Sequence, residues 1–419
     1  MLLKRESVHV CTGLLLCLTL IPWAEGAPPT HHPFPQAAES VGPQGPPSTL
    51  LMEVSTGEVL QATGPHRRFP PASLDKLMTL YLTLQAIRAG RLTMDSAVTV
   101  SVTAWKVGRT PGSSRMFLNA GDTVTVSQLL EGLMIASGND AAEALAETIA
   151  GSGEQFVEEM NAEASRLGMG DTHFVTPHGL PSPGEYTSAA DMALLARRIL
   201  LDYPDVVRFS RPRAVTYAGI RQANWNNLVF RGPVVHQAHV DGLKTGHTRE
   251  AGYSIVATAQ DEGMRLIAVV MGAPTLQRRT ALAEGLLRAG FVRYALTPVP
   301  WQTTVPAAIR IYGGATGRLR LETTHPVAVL TSRDAHLALD VSEEITVRPF
   351  APFRRGEEVG RLSVSRDGRV ISTTPLLAAS AVERTGMLGR IWGYLRYAAG
   401  RLLRRHPAIF RGTVTVPGK

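Results

Sequence analysis

The stretch Pro70-Pro71-Ala72-Ser73-Leu74-Asp75-Lys76-Leu77-Met78 decides how the chain is organised. Two prolines end the preceding segment and apolar residues then recur at helical spacing, which predicts Ser73 in the first turn of a helix and Lys76 one turn further on. Side chains at positions i and i+3 share a helix face, so the Ser73 hydroxyl and the Lys76 amine can meet. A serine hydroxyl becomes an effective nucleophile when a neighbouring base takes its proton. Asp75 is interpreted as a stabiliser of the first helical turn.

The use of lysine singles out two positions. Lys and Arg together number 43, yet the lysines are only Lys4, Lys76, Lys106, Lys244 and Lys419. Arginine keeps its proton in a protein, whereas a buried lysine can lose it. Lys76 and Lys244 are therefore the candidates for an amine that works in its neutral form. A single Ser-x-x-Lys match arises by chance in a chain of this length, so the interpretation depends on further motifs.

Two further short motifs supply polar side chains. Ser137-Gly138-Asn139 falls between two predicted helices, although a simple turn with an N-cap at Asn139 or Asp140 explains the same residues. Lys244-Thr245-Gly246 lies in an extended stretch that two strongly apolar strands follow. Extended backbone places Lys244 and Gly246 on one side and Thr245 on the other. Gly246 is predicted to let a ligand backbone approach closely.

Taken in order, these three motifs resemble those of the penicillin-recognising serine enzymes. Further stretches resemble the low-molecular-mass D-alanyl-D-alanine carboxypeptidases of the penicillin-binding protein 5/6 type, peptidase family S11. These stretches are Asn139-Asp140-Ala141, Thr172-His173-Phe174, His178-Gly179-Leu180, Ala190-Asp191-Met192 and Asp241 through Thr248. The similarity covers nearly everything after residue 50. Ser137-Gly138-Asn139 differs from the Ser-Asp-Asn of class A β-lactamases, and no convincing Glu-x-x-Leu-Asn follows it, which argues against an efficient enzyme of that class.

The resemblance implies a serine DD-carboxypeptidase that cleaves the terminal D-alanine from peptidoglycan pentapeptide stems and is covalently inhibited by β-lactams. Ser73 would attack the carbonyl carbon and form an acyl-enzyme, with Lys76 as the base, kept neutral by the nearby cation Lys244. Ser137 would relay a proton to the leaving D-alanine. Backbone N–H groups of Ser73 and His247 would form an oxyanion hole, worth roughly 10²–10³ in rate per donor.

The same resemblance assigns the substrate-binding residues. Asn139 would hold the peptide amide, while Lys244 and Thr245 would bind the terminal carboxylate beside Gly246. His247 is interpreted as an orienting residue, with a catalytic base as the alternative. No cofactor is implied. His173 and His178 are interpreted as loop-packing residues, because no carboxylate or thiol completes a zinc ligand set at the usual spacing.

The N-terminus is typical of an export signal. Lys4 and Arg5 precede an apolar stretch from Val8 to Pro22, and small residues around Ala24 to Gly26 suit a cleavage site, so residues 1–26 are predicted to be a signal peptide. A retained membrane anchor is the alternative, although the apolar stretch is short for a membrane span. Both cysteines lie in this segment, so the mature chain would have neither a disulfide nor a thiol metal site.

Composition divides the rest of the chain. Residues 27–48 are rich in Pro, Gly, Ser and His, which predicts a disordered spacer. The resemblance implies an α/β (α+β) catalytic domain of the β-lactamase/transpeptidase type over residues 49–295, with a central antiparallel sheet flanked by helices. Alternating apolar residues separated by Gly and Pro predict a small all-β sandwich domain over residues 300–378. The formal net charge of +8 favours anionic surroundings, and no nucleic-acid-binding motif is present.

Residues 382–406 are predicted to form an amphipathic helix. Leu388, Ile391, Trp392 and Leu395 fall on one face with further apolar residues, and arginines lie roughly opposite, a pattern typical of helices that lie on an anionic membrane surface. A helix packed on the body of the protein is the alternative. Residues 407–419 are interpreted as a disordered tail. The implied location is the outer face of the inner membrane, in the periplasm.

Other functions remain open at this stage. A DD-endopeptidase or a weak β-lactamase would use the same site and differ in the shape of the cleft. A non-catalytic cell-wall scaffold is the third hypothesis. Ser73, Lys76 and Lys244 argue against a scaffold, because a binding protein has no use for a neutral amine beside a serine.

Overall fold

The computed structural model describes residues 45–403 and 409–417, so the predicted signal peptide and most of the predicted spacer lie outside the described residues. The helices are α1 Lys76–Arg88, α2 Val102–Arg109, α3 Val126–Glu131, α4 Asn139–Ala150, α5 Gly153–Leu167, α6 Ala189–Asp202, α7 Leu276–Arg293, α8 Trp301–Thr304 and α9 Met387–Leu403. The strands are β1 Ser48–Glu53, β2 Val59–Thr63, β3 Ala97–Thr99, β4 Thr123–Thr125, β5 Ala214–Tyr217, β6 Ile220–Ala223, β7 Val240–Thr248, β8 Gly252–Asp261, β9 Met264–Ala273, β10 Tyr294–Pro298, β11 Ala308–Arg310, β12 Arg318–Thr323, β13 Ala328–Ser332, β14 His336–Ile345, β15 Glu358–Arg366, β16 Arg369–Ala378 and β17 Ile409–Pro417.

An antiparallel sheet in the order β2-β1-β9-β8-β7 lies at the centre of the N-terminal part. Helix α7 packs on one face, and α6 packs on the other with α1 beside it. Strand β9 is buried along nearly its whole length. Helices cover both of its faces, so both need apolar side chains. The structure therefore has the predicted mixed helix and sheet architecture with a central antiparallel sheet.

The apolar residues of two short stretches, 98–102 and 234–235, predict strands that the structure corrects. The strand expected over residues 98–102 is shorter, because Ser101 caps α2 by accepting a hydrogen bond from the N–H of Ala104. Val234 and Val235 form no strand; they lie in a tight turn in which the N–H of Val234 donates to the oxygen of Ala238. Such a turn satisfies its own backbone groups, so apolar residues alone did not identify a strand.

The C-terminal part is a curled sheet in the order β11-β12-β16-β15-β14-β17, next to the pair β10–β13. Its core contains Trp301, Leu339, Val341, Leu362 and Leu376. This sheet confirms the predicted all-β character of the C-terminal domain. Among residues 45–403 and 409–417, no helix has both the length and the apolar content required to cross a bilayer.

The predicted disorder of the tail is wrong for residues 409–417. These residues form β17, which pairs with β14 from Ile409 opposite Glu344 to Pro417 opposite His336. Phe410, Val414 and Val416 recur at every second or fourth position and face the domain core. This alternation is the pattern of a half-buried strand, and Gly412 lets it pass close to the backbone oxygen of Thr304.

Candidate active site

The turn that carries Ser73 places its hydroxyl beside an amine. Ser73 lies in a 3-10 turn, Ala72–Asp75, and Lys76 is the first residue of α1, so the predicted first helical turn is tighter than an α-helical one. The Nζ of Lys76 lies 2.9 Å from the Oγ of Ser73 and also donates to the backbone oxygen of His178. Lys76 is fully buried, whereas Ser73 remains partly exposed. This is the geometry of a nucleophile with an adjacent base.

Burial sets the protonation of Lys76. Removal from water lowers the pKa of its amine to about 7, against the opposing effect of the carboxyl groups of Asp75, Asp140 and Glu185. The sequence prediction attributed a low pKa to the second cation, but for Lys76 desolvation is the main cause. A large fraction of Lys76 is therefore neutral near pH 7 and can accept the serine proton.

Ser137 lies at the end of a π-helical turn, Gly132–Ala136, and adopts a left-handed backbone conformation with φ 58°. Its Oγ accepts a hydrogen bond from the Nζ of Lys244 at 2.9 Å. The exposed Trp225 donates its indole N–H to the oxygen of Ala136, which directly precedes Ser137. A strained backbone at a polar residue is common at functional sites, and here the turn directs the Ser137 hydroxyl toward β7.

Asn139 is the first residue of α4, and its side chain does not cap the helix. Gly138 is the N-cap residue and no side chain caps the helix, so the alternative interpretation as a simple N-cap is not what the structure shows. The Nδ2 of Asn139 donates to the Oγ of Ser113 at 2.7 Å. Its buried Oδ1 accepts no hydrogen bond from the described residues. A buried acceptor of this kind calls for a donor such as a substrate amide.

Strand β7 supplies the second amine. Lys244 is buried, and its Nζ donates to Ser137 Oγ and, at 3.0 Å, to the backbone oxygen of Thr245. Burial, followed by the positive charges of Lys76 and Arg279, holds the pKa of Lys244 well below its usual value. The Lys244–Ser137 contact joins the second and third motifs, and β7 packs against the turn that holds Ser73, so the three motifs meet in one place.

Gly246 has a packing role that the sequence did not predict. A Cβ at this position would lie 3.0 Å from the oxygen of Pro71 and 3.3 Å from the Cβ of Ala72. The missing side chain lets β7 pack against the turn that holds Ser73, so the glycine brings two parts of the site together. Thr245, next to it on the strand, is buried.

His247 is exposed, and its imidazole stacks on the ring of Tyr253 with a centroid distance of 3.9 Å. Partial removal of the ring from water and the positive charge of Arg279 lower the pKa of His247. Stacking fixes the ring against its neighbour on β8, which favours the orienting interpretation over the catalytic base.

The segment before α6 closes the site from the other side. Gly179 has a φ of +78°, and a Cβ there would collide with the backbone oxygen of Ala72, so glycine is required for this close approach. Burial and the charge of Lys76 lower the pKa of His178 to about 3, so its imidazole is neutral. Within the described ranges, no three His, Cys, Asp or Glu side chains form a metal-binding group.

Arg279 is a functional residue that the sequence did not reveal. This residue on α7 is only 2% exposed, its Nη2 donates to the Oδ1 of Asn227 at 3.2 Å, and its Nε has no hydrogen-bond partner among the described residues. No carboxylate in the described part of the chain forms an ion pair with it. A buried cation without an anionic partner is costly, and its charge acts on both Lys244 and His247. One arginine among many gives no signal in a sequence.

Two family models match this chain. Residues 43–275 match the model of the D-alanyl-D-alanine carboxypeptidases of peptidase family S11. Residues 301–384 match the C-terminal domain of penicillin-binding protein 5. The first match covers the central sheet, the helices before α7 and all three motifs, and the second covers most of the curled sheet.

Individual relatives agree with these matches. The D-alanyl-D-alanine carboxypeptidase DacC of Escherichia coli is 37% identical over 350 residues, which are 83% of this chain and 86% of that protein. The crystal structure of penicillin-binding protein 5 from Haemophilus influenzae is 34% identical and covers 80% of this chain and 97% of its own, with a TM-score of 0.64. Penicillin-binding protein D2 from Listeria monocytogenes, solved in its ampicillin-bound form, is 30% identical over 58% of this chain and 96% of its own, with a TM-score of 0.51. The chain belongs to the D-alanyl-D-alanine carboxypeptidases of peptidase family S11, the penicillin-binding protein 5/6 type.

Proposed function

We propose that the D-Ala-D-Ala carboxypeptidase activity of this chain proceeds through an acyl-enzyme on Ser73, with Lys76 as the base that activates it. The observation that carries this proposal is the 2.9 Å contact between Lys76 Nζ and Ser73 Oγ. Burial lowers the pKa of that amine to about 7, so the base is available under neutral conditions. Base and nucleophile are in hydrogen-bond reach, which is the first requirement for proton transfer.

The steps follow from the two amine–hydroxyl pairs. Ser73 Oγ attacks the carbonyl carbon of the penultimate D-alanine as its proton passes to Lys76. The C–N bond then breaks, and the amine of the terminal D-alanine leaves with a proton delivered through Ser137, whose hydroxyl contacts Lys244. Water attacks the ester in the second half-reaction and restores the Ser73 hydroxyl, so each cycle consumes one water. Backbone N–H groups of Ser73 and His247 stabilise the oxyanion of both tetrahedral intermediates.

Substrate recognition depends on a positive potential that no neighbouring carboxylate of the described residues neutralises. The terminal carboxylate of the stem peptide binds beside Lys244 and Thr245, where the unpaired charge of buried Arg279 adds to the positive potential. Asn139 accepts the peptide N–H through its unpartnered Oδ1. β-Lactams carry a carboxylate and a strained amide in a similar arrangement and occupy the same groups. The relative from Listeria monocytogenes was solved in its ampicillin-bound form, which supports β-lactam binding.

The proposal is tested by the mass of the intact protein after exposure to benzylpenicillin. We expect one adduct, located in the tryptic peptide of residues 69–76, because Ser73 is the single hydroxyl residue between Arg68 and Lys76. Incubation with a pentapeptide stem should release one D-alanine per stem. An adduct on another peptide would reject Ser73 as the nucleophile. Absence of both adduct and D-alanine release would favour the non-catalytic scaffold, and cleavage of a cross-linked dimer in preference to the stem would favour the endopeptidase.

We also propose that α9 holds the exported protein on the outer surface of the inner membrane. One face of the helix packs on its own domain: Gly393 lies against Gly313, and Tyr397 contacts Tyr312 and Phe350. The opposite face carries Leu388, Ile391, Trp392 and Leu395, each at least half exposed. The sequence left packing on the protein and binding to a membrane as alternatives for this helix. In the structure the two concern different faces of α9. An exposed apolar face of this size needs a partner, and the net charge of +8 favours an anionic one.

Substitutions on the exposed face provide the test, because truncation would also remove β17 from the sheet. We expect the triple variant Leu388→Gln, Ile391→Gln, Leu395→Gln to lose at least about 10-fold in binding to vesicles of anionic phospholipid, since each buried apolar side chain contributes to interfacial binding. Co-sedimentation measures the bound fraction.

The matched control is Val370→Gln with Ile371→Gln, which also removes exposed apolar side chains, here from β16. This control should bind like the wild type. Equal binding by the α9 triple variant would remove the membrane proposal.

A further inference from the structure

Two carboxyl groups are buried directly behind the Ser73–Lys76 pair. Asp75 is completely buried and Glu185, in the segment before α6, is 5% exposed. The sequence assigned Asp75 to stabilisation of the first helical turn, but its side chain caps no helix N–H group. Buried acidic side chains are rarely tolerated without a partner, so this pair requires an explanation.

The two carboxyl groups have unequal surroundings. Glu185 Oε1 accepts hydrogen bonds from the N–H groups of Val175 and Thr176, at 3.1 and 3.0 Å, and from the Thr176 hydroxyl at 3.2 Å. Neither oxygen of Asp75 receives a hydrogen bond from a donor among the described residues. Thr79, one turn after Asp75 on α1, donates to the oxygen of Pro177, which follows the Thr176 that holds Glu185. This packing brings Asp75 to Glu185, and the two carboxyl groups interact with each other.

The surroundings of the two carboxyl groups determine which of them carries a proton. Two carboxylates in contact repel each other, and neither can donate a hydrogen bond. A single proton removes the repulsion and supplies the missing donor. Three donors already stabilise the anion of Glu185. No hydrogen-bond donor among the described residues stabilises an anion on Asp75, and the cation that faces it, Lys76, is itself partly neutral, so the proton belongs to Asp75.

We propose that Asp75 and Glu185 share one proton at neutral pH, with Asp75 as donor, and that this hydrogen bond positions Lys76 and holds its neutral form. The bond ties the turn of Ser73 to the segment around residues 175–185. The same segment contacts α1 where Thr79 Oγ1 donates to the oxygen of Pro177 at 2.6 Å. Its His178 oxygen accepts a hydrogen bond from Lys76, so the shared proton fixes the acceptor that orients the base.

The charge of the pair also matters for Lys76. Three carboxyl groups face its amine: Asp75, Asp140 and Glu185, and their negative charge favours the ammonium form. The titratable groups that face Asp75 are Glu185 and Lys76. With one shared proton, the pair carries one negative charge, and this charge lies on Glu185 rather than on the residue adjacent to Lys76. The role of Asp75 is thus that of a positioning residue, and the catalytic part of the inference rests on the function proposed above.

The shared proton is tested first through stability, which requires no activity. Asp75→Asn keeps the shape and supplies a permanent N–H donor to Glu185. The wild type must hold a proton that the unfolded chain releases near pH 4, so its stability falls as the pH rises above that value. We expect the thermal midpoint of Asp75→Asn to rise relative to the wild type between pH 5 and pH 8. The exposed Asp205→Asn is the control and should show a constant difference. A constant difference for Asp75→Asn as well would overturn the shared proton.

The effect on Lys76 is tested by titration of its ε-carbon in protein labelled with ¹³C-lysine, which is practical because the chain has only five lysines. Asp75→Asn leaves the charge unchanged, so the Lys76 midpoint should stay where it is in the wild type. Glu185→Gln moves the negative charge onto Asp75 and should raise the midpoint by about one pH unit. The double variant removes the charge and should lower the midpoint. A lower midpoint in Asp75→Asn alone would show that Asp75 is ionised and would overturn the inference. Both measurements remain valid if benzylpenicillin fails to acylate the protein, which would reject the proposed function alone.

Discussion

Ser73→Ala is expected to abolish both the benzylpenicillin adduct and the release of D-alanine, lowering kcat/KM by roughly 10⁴-fold or more. The variant keeps the turn, because the Ser73 side chain contributes only the hydroxyl that Lys76 contacts at 2.9 Å. It removes the atom that forms the ester, so no other group in the site can replace its chemistry. The measurement is a D-alanine release assay together with the mass of the intact protein.

The control for this variant is Ser165→Ala, which removes an exposed hydroxyl on α5. It should be acylated at the wild-type rate. An adduct that persists in Ser73→Ala would locate the nucleophile elsewhere, and Ser137 would then be the next hydroxyl to test because it contacts the second amine.

The parts of the site that the sequence predicted are those encoded by local spacing. Ser73 and Lys76 stand three residues apart at a helix start, which brings hydroxyl and amine together whatever the rest of the chain does. Lys244 was found because lysine is rare in this chain. The meeting of Lys244 with Ser137 followed only from the resemblance to a family, because no local rule predicts contacts between residues so far apart in sequence.

The residues that the sequence did not reveal owe their properties to burial. Arg279 is unusual because it has no acidic partner within the described structure, and Asp75 because it meets Glu185 instead of a helix N–H group. Neither property can be derived from composition or periodicity. Desolvation is likewise the main cause of the low Lys76 pKa, whereas the sequence offered only the second cation as a cause.

The strand over residues 409–417 was missed for a different reason. Its alternation of apolar residues is visible in the sequence, but no tight turn joins it to its partner strand, so local sequence does not predict its pairing. β17 pairs along its whole length with β14, and α9 lies between these two strands in the sequence. A distant strand therefore fixes the position of β17. This arrangement attaches α9 to the curled sheet at both ends, which keeps the helix lying along the domain surface.

Lys76→Arg is expected to be as damaging as Lys76→Ala, and both should lower the acylation rate by about 10²–10⁴-fold. Arginine preserves the positive charge and much of the side-chain length, but it cannot lose its proton and so cannot act as a base. If Lys76 served only as a cation, arginine would retain much of the rate. The comparison therefore separates proton transfer from charge. The measurement is the second-order rate constant for acylation by benzylpenicillin, and the exposed Lys106→Arg is the matched control.

The pH dependence of the wild-type acylation rate also separates proton transfer from charge, without a substitution. Burial lowers the pKa of Lys76 to about 7, so the amine is protonated and inactive as a base below that value and free above it. The acylation rate should therefore rise with pH and level off above about 8, and at pH 5 it should be about 100-fold below the plateau, since one proton changes the active fraction tenfold per pH unit. A rate that stays constant from pH 5 to pH 9, or a Lys76→Arg variant close to the wild type, would assign the serine proton to another acceptor, and the carboxyl groups around Asp75 would then be the nearest alternatives.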